Sequence, residues 1–129
     1  MNAVRYYSKS GNTKTIAEAI AEGAGVPAVS ITDEPKLKEH ADILFLGGAP
    51  YANIMAPELK AYAEKLEKNM VGKVVLFTTS NWSRRTVLAL KKMLKEKGIP
   101  VEDDYFYAHM LHIKGRVDAA KKFGEQKSR

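Results

Sequence analysis

The sequence YYSKSGNT at residues 6–13 connects an apolar segment, residues 3–7, to a segment with helical periodicity. The apolar segment predicts a strand, and Ile16, Ala19 and Ile20, which repeat on one helical face, predict a helix directly after the loop. The hydroxyl groups of the loop can donate hydrogen bonds, and Gly11 lacks the Cβ atom that would keep an anion from the backbone. Together with the free amides at the positive end of the helix, these residues predict a phosphate-binding loop.

Helix capping is the alternative interpretation of this loop, because Ser, Asn and Thr are also common capping residues. A cap requires one such residue, whereas this loop holds four small polar residues and a glycine, which favours an anion site. The Walker loop, Gly-x-x-x-x-Gly-Lys-Ser/Thr, and the three spaced glycines of the dinucleotide fingerprint are absent. A receiver domain needs acidic residues at the ends of its first and third strands, where this chain has Ser8 and Gly47-Gly48.

The rest of the chain alternates short apolar runs with longer segments of helical periodicity, the pattern of a parallel sheet with crossover helices. Further strands are predicted at residues 28–31, 43–46, 74–77 and 105–107. Helices are predicted after Pro57, from about residue 87 to residue 98, and around residues 117–123, with a brief helix or turn after Pro35. Residues 125–129 are predicted to form a loose tail. The whole chain, residues 1–129, is expected to be one α/β domain with five strands and about five helices.

The phosphate loop and its position after the first strand carry a resemblance to a known family. Residues 6–13, followed by the predicted helix up to Gly23, resemble the flavodoxin motif Ser/Thr-x-Ser/Thr-Gly-x-Thr. The resemblance extends over essentially the whole chain, including Gly115-Arg116 before the last predicted helix, and is to short-chain flavodoxins. It implies a flavodoxin-like three-layer sandwich, in which a five-stranded parallel sheet of order 2-1-3-4-5 carries helices on both faces. It also implies bound FMN and electron transfer between redox partners, with no catalytic acid or base among the side chains.

Two further loops correspond, by this resemblance, to the loops that hold the flavin ring in flavodoxins. They follow the third and fourth strands, and each holds one aromatic residue, Tyr51 or Trp82, which is expected to stack on the ring. The alternative is that both aromatic residues simply pack on the surface of the core. Asn81 and the loop amides are expected at the polar edge of the flavin. The residues expected to bind FMN are Ser8, Lys9, Ser10, Gly11, Asn12, Thr13, Pro50, Tyr51, Ala52, Asn53, Thr79, Ser80, Asn81 and Trp82.

The sequence departs from the flavodoxin pattern in two respects. Many flavodoxins have a glycine just after the first-loop aromatic residue, where a peptide flip stabilises the one-electron-reduced flavin. Here Ala52 occupies that position, and the neighbouring Asn53, which tolerates left-handed geometry, is the substitute we consider. Flavodoxins are typically acidic, whereas this chain has a net charge of +6. Positive charge weakens the repulsion of the anionic, fully reduced flavin, so we expect a less negative potential than in an acidic relative.

The excess of positive charge lies in the C-terminal third of the chain. Residues 1–83 hold nine Lys/Arg and nine Asp/Glu, whereas residues 84–129 hold twelve and six. A solvated basic surface is the ordinary interpretation. The alternative is a docking face for an acidic redox partner, since charge steers such encounters. Nucleic-acid binding by the basic residues 84–97 is disfavoured, because that predicted helix has no aromatic residues for base stacking.

The composition excludes several classes of protein and site. The chain has no cysteine, which excludes disulfides, thiolate metal sites and cysteine nucleophiles. His40, His109 and His112 are scattered without carboxylates at ligand spacing, so no metal site is expected. The absence of a long apolar stretch and of signal-peptide features predicts a cytoplasmic chain that does not enter a membrane. The oligomeric state is not predicted. Two alternative functions stay open: a small FMN-dependent NAD(P)H/quinone-type reductase, and a flavodoxin-like binding domain without flavin.

Overall fold

A twisted parallel sheet forms the centre of the molecule. The computed structural model describes residues 1–51 and 54–129 of the chain. The strands in this part of the chain are β1 Ala3–Tyr7, β2 Ala28–Ser30, β3 Ala41–Gly48, β4 Pro50–Tyr51, β5 Ile54–Met55, β6 Val71–Ser80 and β7 Val101–His109. Five of them form the sheet, in the order β2-β1-β3-β6-β7, and the two short strands β4 and β5 form a separate antiparallel hairpin. Numbered without the hairpin, this is the predicted order 2-1-3-4-5, and the predicted fold is confirmed.

Helices cover both faces of the sheet. In the described residues they are α1 Asn12–Ala24, α2 Pro57–Lys65, α3 Arg85–Glu96 and α4 Ile113–Lys127, with a 3₁₀ turn at Lys68–Met70. Helices α2 and α3 bury Leu59, Tyr62 and Leu90 against one face. Helices α1 and α4 bury Ile16 and Ala120 against the other face. The central strands β3 and β6 are therefore buried on both sides, which is why they were recognisable as continuous apolar runs.

Three details differ from the sequence-based expectations. Pro35, where a brief helix or turn was predicted, lies in a bend at residues 35 and 36 and opens no helix. Helix α4 begins at Ile113, so Gly115-Arg116 lies inside the helix and not before it. The same helix continues to Lys127, so the predicted loose tail at residues 125–129 is wrong for most of its length.

Two glycines explain why the C-terminal segment is helical to its end. A Cβ atom at Gly23 of α1 would collide with the backbone of Lys121, and one at Gly124 of α4 would collide with the backbone of Ile20. The two helices thus pack backbone against backbone. Lys127 adds ion pairs to Glu102 and Asp104 of β7, with N–O distances of 3.4 and 2.9 Å. These tertiary contacts outweigh the weak amphipathic pattern of the helix, since most helical stability in proteins comes from packing.

The helices of the described residues include none that is long and apolar enough to cross a membrane.

Candidate functional site

The loop between β1 and α1 is closed by its own side chains. The Gly11 N–H donates to Oγ of Ser8 at 3.0 Å, and the Asn12 N–H points toward Oγ of Ser10 at 3.5 Å. Both hydroxyl groups act as acceptors in these contacts, so their own hydrogens are left to donate elsewhere. Gly11 adopts φ +93°, in the region that favours glycine, and a Cβ atom there would meet no atom within 4 Å. The space in front of the loop backbone is therefore open to an anion.

The first turn of α1 has the features of an anion site. Gly11 is the N-cap residue and offers no side-chain cap, and the turn holds no acidic residue. The first amides of a helix have no intrahelical partner, and the helix dipole adds positive potential at this end. An anion seated here would receive amide donors that this chain does not itself satisfy.

A buried hydrogen bond joins the loop helix to the next part of the site. Oγ1 of Thr13 lies 2.7 Å from Oγ1 of Thr79, and both residues are about 99% buried. The neighbouring residue of β6, Thr78, donates to the carbonyl of Gly48 at the end of β3, at 2.7 Å. These threonines fix the relative positions of the three loops that follow β1, β3 and β6. Thr13 is thus placed as a structural partner of Thr79 as well as at the predicted anion site.

Tyr51, one of the two predicted ring-stacking residues, bridges the first two loops. Its hydroxyl accepts the Lys9 N–H at 2.8 Å, and the Lys9 ammonium lies 4.7 Å from the centre of its ring. Its ring also meets the edge of Tyr7 at 6.1 Å between centroids. The alternative of packing on the core therefore applies to Tyr51 in part, because it is half-buried against the α2 side of the core. The predicted site residues Ala52 and Asn53 lie outside the described residues.

Tyr7 and Glu58 form a hydrogen bond beside this bridge. The Tyr7 hydroxyl donates to Oε2 of Glu58 at 2.8 Å. This bond stabilises the carboxylate and holds the pKa of Glu58 below its usual value. The same bond, together with burial, raises the pKa of Tyr7. Glu58 is the one acidic residue in the first turn of α2, so its charge also matches the positive end of that helix.

Trp82 is held in an unusual backbone conformation after β6. Its φ is +67°, the only positive value among the non-glycine residues that the structure describes, and its side chain is 72% exposed. Such a conformation costs about 1–3 kcal/mol for a non-glycine residue. Three hydrogen bonds compensate: the Trp82 N–H donates to the Tyr107 hydroxyl at 2.7 Å, Tyr107 donates to the Ser80 carbonyl at 3.0 Å, and Arg84 donates to the Trp82 carbonyl at 3.2 Å. With so much of its ring in solvent, Trp82 does not pack into the core.

A histidine orients the polar residue next to Trp82. The Leu111 N–H donates to Nδ1 of His109 at 3.1 Å, so that ring nitrogen carries no proton. The proton is on Nε2, which donates to Oδ1 of Asn81 at 2.9 Å. The Asn81 amide hydrogens are thereby left to donate outward. The His109 ring also contacts the edge of Trp82, at 4.6 Å between centroids. His109 lies two residues beyond the strand predicted at residues 105–107 and is the last residue of β7.

These loops enclose a cleft of about 350 Å³ at the carboxyl ends of the strands. It is lined by Ser10, Asn12, Ala49, Pro50, Tyr51, Thr79, Ser80, Asn81, Ser83 and Met110. Seven of these ten residues belong to the set predicted from the sequence, and the other three, Ala49, Ser83 and Met110, do not. Two hollows of about 320 and 330 Å³ flank α2, so size alone does not single out this cleft. Its place at the edge where α/β proteins bind ligands, next to the open amides of α1, does.

Sequence reasoning missed the residues that β7 and the position directly after it contribute. Tyr107, His109 and Met110 all belong to the wall or the support of the cleft. The aromatic segment at residues 105–107 was the available signal. Alternate side chains of an edge strand point to opposite faces, so one face of this segment could have been assigned to the cleft. The register that brings Tyr107 beside Thr78 could not be read from it.

A parallel sheet of order β2-β1-β3-β6-β7, with an anion loop after its first strand, defines the flavodoxin-like class of α/β proteins. A family model described as a flavodoxin domain matches residues 3–108. The chain therefore belongs to the flavodoxin family. No curated protein sequence matches it.

Solved structures agree with this assignment at the level of the fold. A flavodoxin from the domain Archaea superimposes with a TM-score of 0.80 at 22% identity, over 99% of this chain and 96% of that one. Oxidised flavodoxin 1 from Bacillus cereus gives a TM-score of 0.77 at 19% identity, over 96% and 95%. The two-electron reduced flavodoxin of Megasphaera elsdenii gives 0.68 at 22% identity, over 99% and 98%.

The donor set of the cleft fits the group that this family binds, FMN. The β1–α1 loop offers hydroxyl groups and open helix amides to a phosphate, and glycine keeps the approach clear. Tyr51 supplies aromatic surface in the lining, Asn81 supplies outward amide donors, and the exposed Trp82 directly follows Asn81 in the chain. Among the described residues no group of three or more His, Cys, Asp or Glu side chains could hold a metal ion.

Proposed function

We propose that this protein is an electron carrier that binds one FMN non-covalently in the cleft at the carboxyl ends of β1, β3 and β6. The observation that carries the proposal is the β1–α1 loop, whose open, acid-free helix start calls for an anion from outside the chain. Membership of the flavodoxin family supports flavin as the bearer of that anion. The bound flavin would supply the one- and two-electron chemistry, while the protein tunes it.

Each part of the cleft has a task in this proposal. Ser8, Ser10 and the first amides of α1 hold the phosphate, and Thr13 fixes the start of the helix against Thr79. Tyr51 and Trp82 pack on the isoalloxazine ring and exclude water from its faces. Asn81, held by His109, donates to the polar edge of the ring. No side chain is required as a catalytic acid or base.

The electron donors and acceptors are proposed to be other redox proteins. The excess of twelve Lys/Arg over six Asp/Glu in residues 84–129 supports partners that are acidic. A cytoplasmic location stays a prediction.

A visible spectrum of the purified protein, titrated with FMN and then with dithionite, tests the proposal. We expect the flavin bands to shift and the fluorescence of Trp82, the single tryptophan, to be quenched at one equivalent. Stepwise reduction of the flavin by dithionite, together with no oxidation of NAD(P)H by the protein, would support a carrier. Steady NAD(P)H turnover would instead favour a reductase, and an unchanged spectrum would favour a binding domain without flavin.

Two matched serine variants locate the binding site. Ser10→Ala removes a hydroxyl group from the proposed phosphate loop, and Ser30→Ala removes one at the end of β2, where it accepts the Thr32 N–H. We expect Ser10→Ala to weaken FMN binding about tenfold, as for one lost charge-assisted hydrogen bond. Ser30→Ala should leave it unchanged. Equal effects of the two variants would contradict the proposed placement of the phosphate.

A further inference from the structure

Exposed apolar side chains concentrate at one end of this molecule. In the described part of the chain six large hydrophobic side chains are exposed, and Met1 is the only one away from the carboxyl end of the sheet. The other five are Ile54, Trp82, Leu88, Met110 and Leu111. Trp82 and Leu111 are 72% and 78% exposed and are linked through His109. Isolated exposed apolar residues are ordinary, but a cluster of them marks an interaction surface.

Positive charges without carboxylate partners surround the same cluster. Arg85 and Lys114 are exposed at the first turns of α3 and α4, and Lys9 and Lys14 lie across the cleft. None of these four forms an ion pair with the residues that the structure describes, although that part of the chain holds nine such contacts. Among the first turns of α1 to α4, only that of α2 holds a carboxylate, Glu58, and it accepts the Tyr7 hydroxyl.

The helix starts make this charge distribution costly for the isolated chain. The first turns of α1, α3 and α4 contain no acidic residue. Instead they contain Lys14, Arg85 and Lys114, and a cation at the positive end of a helix is unfavourable by about 0.3–1 kcal/mol. FMN phosphate can compensate at α1 alone. The positive potential at α3 and α4 remains for another negatively charged molecule.

We propose that Trp82, Arg85, Leu88, Met110, Leu111 and Lys114, the β6–β7 rim, form the docking surface for a redox protein with an acidic patch around its own redox centre. The inference rests on the proposed function, because the rim borders the cleft in which FMN would sit. Complementary charge would steer the encounter, and the apolar side chains would exclude water from the contact. A second copy of this chain does not fit, since two equal basic surfaces repel each other.

The rim differs from the basic flank of α3. On that flank Lys91 pairs with Asp103 at 3.2 Å, and Lys97 donates to the Glu64 carbonyl at 2.6 Å. Those lysines also lie progressively farther from the cleft, toward the end of the helix at Glu96. We therefore assign docking to the first turn of α3 and not to the rest of that helix.

Stopped-flow electron transfer to two haem proteins of opposite charge tests the proposal. The FMN-loaded protein is reduced with dithionite and mixed with an excess of ferric acidic b-type cytochrome or ferric basic c-type cytochrome. In each encounter one electron leaves the flavin and reduces one haem iron. We expect the second-order rate with the acidic cytochrome to fall about tenfold between low and high salt, and the rate with the basic cytochrome not to fall.

Charge-reversal variants locate the surface. Arg85→Glu and Lys114→Glu should each slow transfer to the acidic cytochrome about five- to tenfold at low salt, and Leu111→Ser should slow it at every salt concentration. Lys95→Glu, the same charge change ten residues farther along α3, is the matched control and should stay within twofold. Equal slowing by Lys95→Glu, or an acidic-cytochrome rate that rises with salt, would overturn the proposal. FMN titration of each variant separates these outcomes from a failure of flavin binding.

Discussion

The two ends of the sheet differ in whether their charged side chains have partners within the chain. At the amino end, charges meet partners: the terminal ammonium lies 2.5 Å from Asp42, and Arg5 lies 3.3 Å from Glu34. At the carboxyl end, Arg85 and Lys114 lie at helix starts without an ion pair to any described residue, and Trp82 is held at positive φ. The first arrangement is satisfied within the chain. The second is left open within the described residues, as we expect of an end of the sheet that binds other molecules.

We expect the largest effect from a carboxylate placed at the carboxyl end of the sheet, in the loop at Gly11. Gly11→Asp and Gly11→Asn are nearly isosteric, and both side chains tolerate the positive φ of Gly11 better than most. They therefore differ mainly in charge. We expect Gly11→Asp to weaken FMN binding about 100-fold relative to Gly11→Asn, because the carboxylate repels the phosphate. Titration with FMN at low salt measures it, and equal affinities would show that no phosphate binds at this loop.

Two variants of Trp82 separate the effect of its backbone strain from the effect of its ring at the carboxyl end of the sheet. Trp82→Gly relieves the positive φ, so we expect the free energy of unfolding to rise by about 1 kcal/mol. Loss of the ring should at the same time weaken FMN binding about tenfold. Trp82→Ala is the control, since it loses the ring and keeps the strain. A stabilised Trp82→Gly variant with undiminished FMN affinity would mean that the ring does not contact the flavin.

The unpaired charge should also be visible in the redox potential. Positive charge near the cleft stabilises the anionic, fully reduced flavin, and added salt screens that stabilisation. We expect the potential of the second electron to become more negative as ionic strength rises. Spectroelectrochemical titration at several salt concentrations measures the shift. A shift in the opposite direction would show that the field at the flavin is negative.

At the amino end of the sheet, where charges have partners, breaking a charge contact should affect stability alone. Lys127→Met removes the ion pairs to Glu102 and Asp104, which raise the pKa of Lys127, the Asp104 hydrogen bond being the main cause. Because the lysine is partly exposed, we expect a loss of only about 0.5 kcal/mol in the free energy of unfolding. FMN affinity should not change. Chemical denaturation and FMN titration of the same preparation measure both quantities.

The smallest effect concerns the hydrogen bond between Tyr7 and Glu58. The bond holds the pKa of Glu58 below its ordinary value of 4.5. Its contribution to stability is therefore complete above that value and is lost as the pH falls through the lower pKa of the folded protein. Tyr7→Phe should melt below the wild type at neutral pH, and the difference should shrink in acid. A melting-temperature difference that is constant from neutral pH to strongly acidic pH would contradict this assignment.

The parts of the fold that could be predicted are those in which local sequence and burial coincide. Strand β3 is apolar on nearly every residue because both its faces are covered, and Pro57 marks the start of α2 because proline is tolerated at a first helical turn. The end of α4 could not be predicted. Its continuation to Lys127 depends on the approach of Gly124 to the Ile20 backbone, a contact between residues far apart in sequence.

The candidate site divides in the same way. The residues 8–13 motif and the two aromatic residues are local patterns, and of these the structure places Ser10, Asn12 and Tyr51 in the lining of the cleft. Tyr107 and His109 act through hydrogen bonds to a different loop, at Trp82 and Asn81. Whether a tyrosine on an edge strand reaches that loop depends on the β6–β7 register, including its irregularity between Val74 and Leu76. Nothing in the sequence of either strand alone specifies it.

The contact between α1 and α4 has a mechanical consequence. Gly23 and Gly124 bring the two backbones together without side chains between them that could rearrange. Interlocked helices of this kind move as one body, since dense packing transmits displacement and does not absorb it. We therefore expect an anion bound at the first turn of α1 to slow hydrogen exchange in Ile113–Lys127 as well. The order of the last helix would then depend on a ligand bound at the other end of the chain.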